Sequence, residues 1–196
     1  MATLTVLTEG YVRHPPGIWV ASTTSLLIRD NGRTILVDPG TNAPALKEAL
    51  KREGVGTKDL DLIFLTHYHL DHVLNMRLFP GVDVADGWAV YHEDKEIPFK
   101  TFLPGTQCRV VHTPGHASEH NALVVPTDNG TYVIAGDVFW SAATGPDPSD
   151  RQRLLDKKDP FAEDFARLRQ SREQVFGLGD FIVPGHGLPF RSPGKS

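Results

Sequence analysis

Three histidines and an aspartate fall within the six residues His67-Tyr68-His69-Leu70-Asp71-His72, directly after the apolar run Leu60-Asp61-Leu62-Ile63-Phe64-Leu65. Neutral imidazole is the commonest protein metal ligand, and a neighbouring carboxylate suits a divalent ion such as zinc, iron or manganese. A strand that releases such a cluster at its end predicts a metal site where a sheet meets solvent. The plainer reading is a polar turn that happens to contain histidine. What tells against it is the pattern downstream: Thr113-Pro114-Gly115-His116, Ala135-Gly136-Asp137 and Val183-Pro184-Gly185-His186-Gly187. Each follows an apolar strand and delivers one ligand-type residue at its exit. Strand ends on one edge of a sheet core converge, so a single site can collect His116, Asp137 and His186 with the hexapeptide.

The elements that must position these residues can be read from turns and periodicity. Ser25–Asp38 reads as strand, Asp-Asn-Gly turn, strand, with an aspartate at the exit, and Ala122–Asp137 repeats the plan. Asn-Gly supplies the positive φ angles of a tight hairpin. Both hairpins are rich in Val, Ile and Leu, as strands covered on both faces are. Helices are expected over Asn42–Gly54, with Pro44 in the first turn, over His72–Phe79 ahead of Pro80-Gly81, and over Phe161–Phe176, closed by Gly177. Strands are expected at Gln107–His112 and Asp180–Pro184. Segments 86–104 and 141–160 read as irregular, and such loops often bind ligands. This order implies two sheets with helices outside, in one domain spanning residues 1–196.

Composition narrows the class. The chain has 196 residues, is 40% hydrophobic and carries a net charge of −4, so no global basic field draws it to nucleic acid or anionic membranes. The single cysteine, Cys108, excludes an intrachain disulfide and is expected to be a small buried apolar residue. Neither a basic leader nor an apolar run of the roughly 18 residues needed to span a bilayer is present, which points to a cytoplasmic protein and no membrane partner.

The set His67-x-His69-x-Asp71-His72, His116, Asp137 and His186 resembles, in order and over nearly the whole chain, the ligand pattern of the metallo-β-lactamase superfamily. That resemblance implies an α+β fold, a four-layer αββα sandwich of two mixed β-sheets with outer helices. It also implies two divalent metal ions per chain, zinc first, with iron or manganese as alternatives. His67, His69 and His116 would bind one ion, Asp71, His72 and His186 the other, and Asp137 would bridge them. Two ions roughly 3.5–4 Å apart can share a water, lower its pKa and stabilise a developing oxyanion, so no side-chain nucleophile is needed. Asp71 is also the candidate catalytic residue, orienting that water or shuttling its proton. Asp38 is the carboxylate best placed to orient a ligating histidine, and His120, four residues after His116, resembles an accessory histidine of the superfamily. His14, His92 and His112 match no pattern.

Departures from the superfamily's branches sharpen the expectation. No cysteine stands at a ligand position, unlike class B1 lactamases, and His69 stands where flavodiiron proteins carry glutamate. Ten residues follow His186, which leads us to expect no helical C-terminal domain of the glyoxalase II kind. The extended stretches Ala135-Gly136-Asp137-Val138-Phe139 and Val183-Pro184-Gly185-His186-Gly187-x-Pro189-Phe190-Arg191 are similar to a branch associated with RNA phosphodiester hydrolysis. The substrate expectation is therefore a phosphodiester, RNA or a small ester, which needs a cationic rim; Lys95, Lys100, Arg151, Arg153 and Arg191 are the candidates. A lactone, carboxyl-ester or thioester hydrolase would instead need an apolar pocket, for which Ile18, Trp19, Trp88, Phe139 and Trp140 are candidates, with Trp19 on a hairpin tip after Pro15-Pro16-Gly17. A mononuclear iron persulfide dioxygenase would need only part of the ligand set. Oligomeric state stays open, a homodimer included.

Overall fold

Alternation of side chains along the two expected hairpins decides the architecture of the computed structural model, which describes residues 1–140 and 150–194. Strands β4 (Ser25–Asp30) and β5 (Arg33–Val37) form the first hairpin, and Asn31 and Gly32 both take positive φ at its tip. Leu26, Ile28, Ile35 and Val37 point to one face, while Leu27 and Leu36 point to the other. Since both faces are apolar, both must be covered. The inner set packs against Leu123, Val125, Ile134 and Val183 of a second sheet, and the outer set packs against Leu46, Ala49 and Leu50 of helix α1 (Ala43–Arg52).

The first sheet has seven strands in the order β1 (Thr3–Thr8), β4, β5, β6 (Leu62–Phe64), β7 (Val84–Ala85), β8 (Ala89–His92) and β9 (Lys95–Pro98). A small hairpin of β2 (Tyr11–Arg13) and β3 (Val20–Ser22) stands beside it. The second sheet has the order β10 (Arg109–His112), β11 (Asn121–Thr127), β12 (Gly130–Gly136), β13 (Phe181–Pro184) and β14 (Phe190–Arg191). Its outer face is covered by α3 (Arg151–Asp156) and α4 (Phe165–Leu178), through Leu154, Leu155, Leu168, Val175 and Phe176. Both sheets are mixed, because β5–β6–β7 and β12–β13 pair in parallel and the rest antiparallel. The layers are thus helix, sheet, sheet, helix, the αββα sandwich that the ligand pattern implied.

Several local expectations change. The second hairpin turns at Asp128-Asn129 without positive φ there; the left-handed residue is Gly130, so this turn differs from the first. Helix α1 starts one residue later than expected, because Asn42 caps it by accepting from Ala45 N at 3.2 Å. The His72–Phe79 helix is a short α2 (Leu70–Val73) running into a 3-10 turn at Leu74–Leu78. The helix expected from Phe161 begins at Phe165, because Asp164 caps it by accepting from Arg167 N at 3.0 Å, and it runs past Gly177 to Leu178. The segment 86–104 is irregular only at its ends: residues 89–98 form the β8–β9 hairpin, which extends the first sheet. Of the segment 141–160, residues 141–149 lie outside the described residues, and α3 follows them. Cys108 is fully buried in the inter-sheet core, and burial pushes its thiol up to about 12, so it is no activated thiolate. Among the described residues no helix is long and apolar enough to cross a membrane.

Candidate metal centre

Parallel pairing gathers the strand exits. Because β5 and β6 run in parallel, Asp38 and the hexapeptide leave the first sheet at the same edge. Because β12 and β13 run in parallel, Asp137 and His186 leave the second sheet together, and β10, antiparallel to the intervening β11, brings His116 to that edge too. Main-chain bonds then tie the two edges: Asn121 N donates to Thr66 O at 2.8 Å, Thr24 N to Gly185 O at 2.6 Å and Thr23 N to Asp71 O at 3.2 Å.

Two groups of ligand-type atoms result, each within 4.8 Å: His67, His69, His116 and Asp137, and Asp71, His72 and His186. Asp137 lies between them, with Oδ1 3.3 Å from His72 Nε2 and Oδ2 3.4 Å from His116 Nε2 and 3.6 Å from His186 Nε2. All seven ligand candidates are thereby brought together. His14, His92 and His112 belong to neither group; His92 pairs with Asp83 at the surface.

The outward nitrogens of His72 and His186 are anchored, which aims the others inward. His72 Nδ1 donates to Asp38 Oδ2 at 2.9 Å, and His186 Nδ1 donates to Ser22 O at 3.1 Å. Asp38 is itself held by Thr66, whose N–H and hydroxyl donate to its two oxygens at 2.9 and 2.7 Å. It sits at φ +45, a left-handed conformation that costs a non-glycine residue energy and is kept because these bonds over-determine it. Tyr68 points the opposite way from its histidine neighbours. Its hydroxyl bonds Asp86, which also accepts from Trp88 N, Ala89 N and the Tyr91 hydroxyl, so the hexapeptide is pinned from behind.

His120 is fully buried, so it does not face substrate. Its Nε2 accepts from Asp137 N at 3.2 Å while Nδ1 meets the Thr113 hydroxyl at 2.9 Å, leaving no nitrogen free for an ion. It fixes the main chain that carries Asp137. Space is equally tight at Gly185, where a Cβ would stand 1.9 Å from Asp137 Oδ1.

The donor set fits divalent cations. His67 Nε2, His72 Nε2, His186 Nε2 and Asp137 Oδ1 are buried and have no hydrogen-bond partner. Leaving such atoms unsatisfied costs about 1–3 kcal/mol each, a cost that a cation between them removes. His186 Nε2 is 3.2 Å from Asp71 Oδ2, near enough to feel its charge but not aligned for a hydrogen bond. The electrostatics say the same. Burial lowers the His67, His69 and His120 imidazoles, and neighbouring imidazoles add to this. At His72 burial is outweighed by Asp137 and Asp38, which hold it well above its ordinary value; at His186 it is outweighed by Asp137 and Asp71, up to about 9. Burial opposes the charge on Asp137, yet His186 and His72 hold its carboxyl well below the usual range. The carboxylates thus recruit positive charge to this place.

Above the two groups opens a pocket of about 420 Å³ lined by Val12, Trp19, Ala21, Leu70, Trp140 and Phe161, with His69, Asp71, His116 and Asp137 at its floor. Trp19, on the β2–β3 connection as expected, meets Phe161 edge-on at 5.6 Å, and Phe161 meets Trp140 at 5.5 Å. Among the described residues the expected cationic rim does not line this pocket. None of Lys95, Lys100, Arg151, Arg153 and Arg191 lines the pocket. Lys95 lies on β9, at the sheet's far edge; Arg151 pairs with Glu173, Arg153 with Asp150, and Arg191 lies over the Phe181 ring. Of the expected apolar wall, Trp19 and Trp140 line the pocket, while Phe139 is buried against Phe176 and Phe190, and Ile18 and Trp88 are exposed outside the lining.

Residues 18–108 match the family model of the metallo-beta-lactamase superfamily. Over 198 residues the chain is 33% identical to metallo-beta-lactamase domain-containing protein 1 of Xenopus laevis, covering 95% of this chain and 80% of the frog protein. The chain belongs to the metallo-β-lactamase superfamily. It is a hydrolase of that superfamily. Against the mouse, rat and human proteins of the same name, at 36–37% identity, it spans only about 60% of their length. It is also 24% identical to an atrochrysone carboxyl ACP thioesterase of Aspergillus fumigatus, covering 89% of this chain and 53% of that protein. In three dimensions it is similar to a metallo-β-lactamase-fold protein of Thermotoga maritima, with a TM-score of 0.74 at 22% identity over 97% of this chain and 99% of that one.

Asp159 and Phe161 are among the contributors to this site that escaped the sequence reading. Asp159 accepts from His116 Nδ1 at 2.6 Å although 43 residues separate them, and Phe161 forms a pocket wall. Nothing in the local sequence marks Asp159, since Asp-Pro reads as a turn. Phe161 shares helical spacing with Phe165 and Leu168, and only the capping aspartate Asp164 could have signalled that it lies outside the helix.

Proposed function

We propose that this protein is a metal-dependent hydrolase of carboxylic esters, lactones or thioesters bearing an apolar acyl group. The observation that carries the reading is the pocket wall of Val12, Trp19, Ala21, Leu70, Trp140 and Phe161, directly above the ligand groups and, among the described residues, without lysine or arginine in its lining. Phosphodiester binding calls for cationic groups around the scissile bond. The expected ones stand elsewhere, so RNA and related phosphodiesters are the second reading, supported by the extended motif likeness alone.

His67, His69, His116 and Asp137 would hold one divalent ion and Asp71, His72 and His186 a second, with Asp137 shared. Ions held there would supply a Lewis acid for the scissile carbonyl and an acidified water at neutral pH. The chain's own residues do the rest. Trp19, Trp140 and Phe161 enclose the acyl group, exclude water from it and set its carbonyl over the floor. Asp71 is ionised at neutral pH: burial opposes this, but His186 and His72 hold its carboxyl down. With Oδ2 facing His186, its Oδ1 is left to orient the attacking water and accept its proton. Both groups have their full donor sets, which favours a two-ion site over a mononuclear iron dioxygenase.

The test is a substrate panel on the zinc-, manganese- and iron-loaded protein: a short RNA, a bis-aryl phosphate, an acyl lactone and an acyl thioester. Acyl substrates should turn over faster, with activity abolished in His69→Ala. Faster phosphodiester turnover with the same His69 dependence would reverse the preference.

A further inference from the structure

Asp159 makes two bonds, one to a ligand candidate and one to the segment that walls the pocket. Its side chain is fully buried. Oδ2 accepts from His116 Nδ1 at 2.6 Å, and Oδ1 accepts from Phe161 N at 2.9 Å. The first bond leaves the His116 Nε2 lone pair facing His69 and Asp137, at 2.9 and 3.4 Å. The second fixes the start of the segment whose phenyl ring closes the pocket against Trp19 and Trp140. The same segment is laced to the His116 loop by Glu163 N to His116 O at 3.2 Å and Asp164 N to Gly115 O at 2.9 Å. Behind it the buried Arg172 donates to Leu155 O, Lys157 O and Val138 O, tying the chain before Asp159 to the turn that carries Asp137.

We propose that Asp159 is a positioning residue that joins the acyl wall to the ion-binding group, setting the His116 tautomer with one oxygen and the place of Phe161 with the other. This rests on reading His116 as an ion ligand. Two donors converge on Asp159, and a carboxylate can accept from both. An amide of the same shape cannot, since one of its two arms is itself a donor. If its oxygen stays on Phe161 N, its NH₂ faces His116 Nδ1, the ring proton moves to Nε2, and that proton then points into the ligand group. If the amide turns over, Phe161 N loses its acceptor and the wall shifts.

The experiment compares the wild type, Asp159→Asn and Phe161→Ala by cobalt(II) titration of the chelator-stripped protein, followed by the ligand-field absorption, with far-UV circular dichroism as the check on fold. Asp159→Asn should lower cobalt affinity about 10–100-fold, the usual effect of removing such a partner. Phe161→Ala should leave affinity within about threefold and raise KM for a long-chain acyl ester. Cobalt affinity of Asp159→Asn within threefold of wild type would overturn the proposal. A second measurement needs no variant: in the zinc-loaded wild type, ¹H–¹⁵N correlation should show His116 Nδ1–H as a slowly exchanging proton. Its absence would overturn the proposal even if Asp159→Asn does not fold. A wild type that takes up no cobalt would instead remove the reading of the metal centre itself.

Discussion

Replacing Trp19 by alanine should remove selectivity for long acyl chains while leaving short ones nearly untouched. Trp19 is 55% exposed over the ligand groups, so the fold gains little from it and loses little without it. An aromatic side chain of this size presents roughly 200 Å², so about 110 Å² is open, and a bound chain covering half of that buries about 55 Å². At ~25 cal/mol per Å² this is ~1.4 kcal/mol, a factor of about ten in kcat/KM. The assay is a series of acetyl, butyryl and hexanoyl thioesters with one leaving group. In the wild type, each buried methylene should raise kcat/KM about fourfold (~0.8 kcal/mol) until the pocket fills. In Trp19→Ala the slope should flatten, with hexanoyl losing about tenfold and acetyl less than twofold. An equal loss along the whole series would mean that Trp19 acts on the carbonyl or the ions. An unchanged slope would mean that the acyl chain lies elsewhere. Either result would refute the reading of the pocket.

Three further outcomes follow from the same geometry. Gly185→Ala should abolish metal retention, measured by metal analysis after gel filtration, because its Cβ would stand 1.9 Å from Asp137 Oδ1 and force that carboxylate away. Asp38→Asn should lower stability by about 2–3 kcal/mol in urea melts, since a buried carboxylate that accepts from Thr66 twice and from His72 becomes an amide unable to serve all three donors; a loss below 0.5 kcal/mol would contradict this. The chelator-stripped protein should be most stable near the ordinary imidazole value of 6.5. His67, His69 and His120, held below that value by burial, favour unfolding as pH falls beneath it. His186, raised to about 9 against the pull of burial by Asp137 and Asp71, contributes stability that is full below 6.5 and is lost as pH rises through 9. Thermal melts from pH 5 to 9 should show that peak in EDTA and no alkaline decline with zinc, because the ion then takes the place of the His186 proton; identical profiles would refute the assignment.

The clustering of the seven ligand candidates was legible because each follows an apolar strand, and strand exits that run the same way share an edge. The first hairpin was legible from Asn31-Gly32, and helix α1 from Asn42, Pro44 and Gly54. The β8–β9 hairpin was not, because Glu93-Asp94 is no glycine turn and Lys95-Glu96-Ile97-Pro98 reads as a charged loop. As the sheet's last strand, β9 is where proline and charge belong, since an edge must discourage further pairing. The substrate wall was only half legible. Trp19 follows a Pro-Pro-Gly turn that announces a tip, but Phe161 looks like part of a helical stripe until Asp164 is weighed as a cap. Asp159 is set by tertiary contact alone, and no local periodicity encodes a bond across 43 residues.

The division of the ligand candidates between the sheets bears on how the site and the fold depend on each other. The first group takes His67 and His69 from the edge of the first sheet and His116 and Asp137 from that of the second; the other group takes Asp71 and His72 from the first and His186 from the second. Neither sheet carries a complete group, so an ion in either would fasten the two halves together. The matched family model spans residues 18–108 and therefore contains only the first sheet's share of each group. What completes both is the inter-sheet core, from Leu26 to Val183, and the edge bonds Asn121–Thr66 and Thr24–Gly185. These hold the opposing imidazoles and carboxylates in place before any ion arrives, so the fold bears the cost of gathering unpaired donors. An ion bound there would return that energy as stability, so metal retention and folding should fail together in variants that part the two edges.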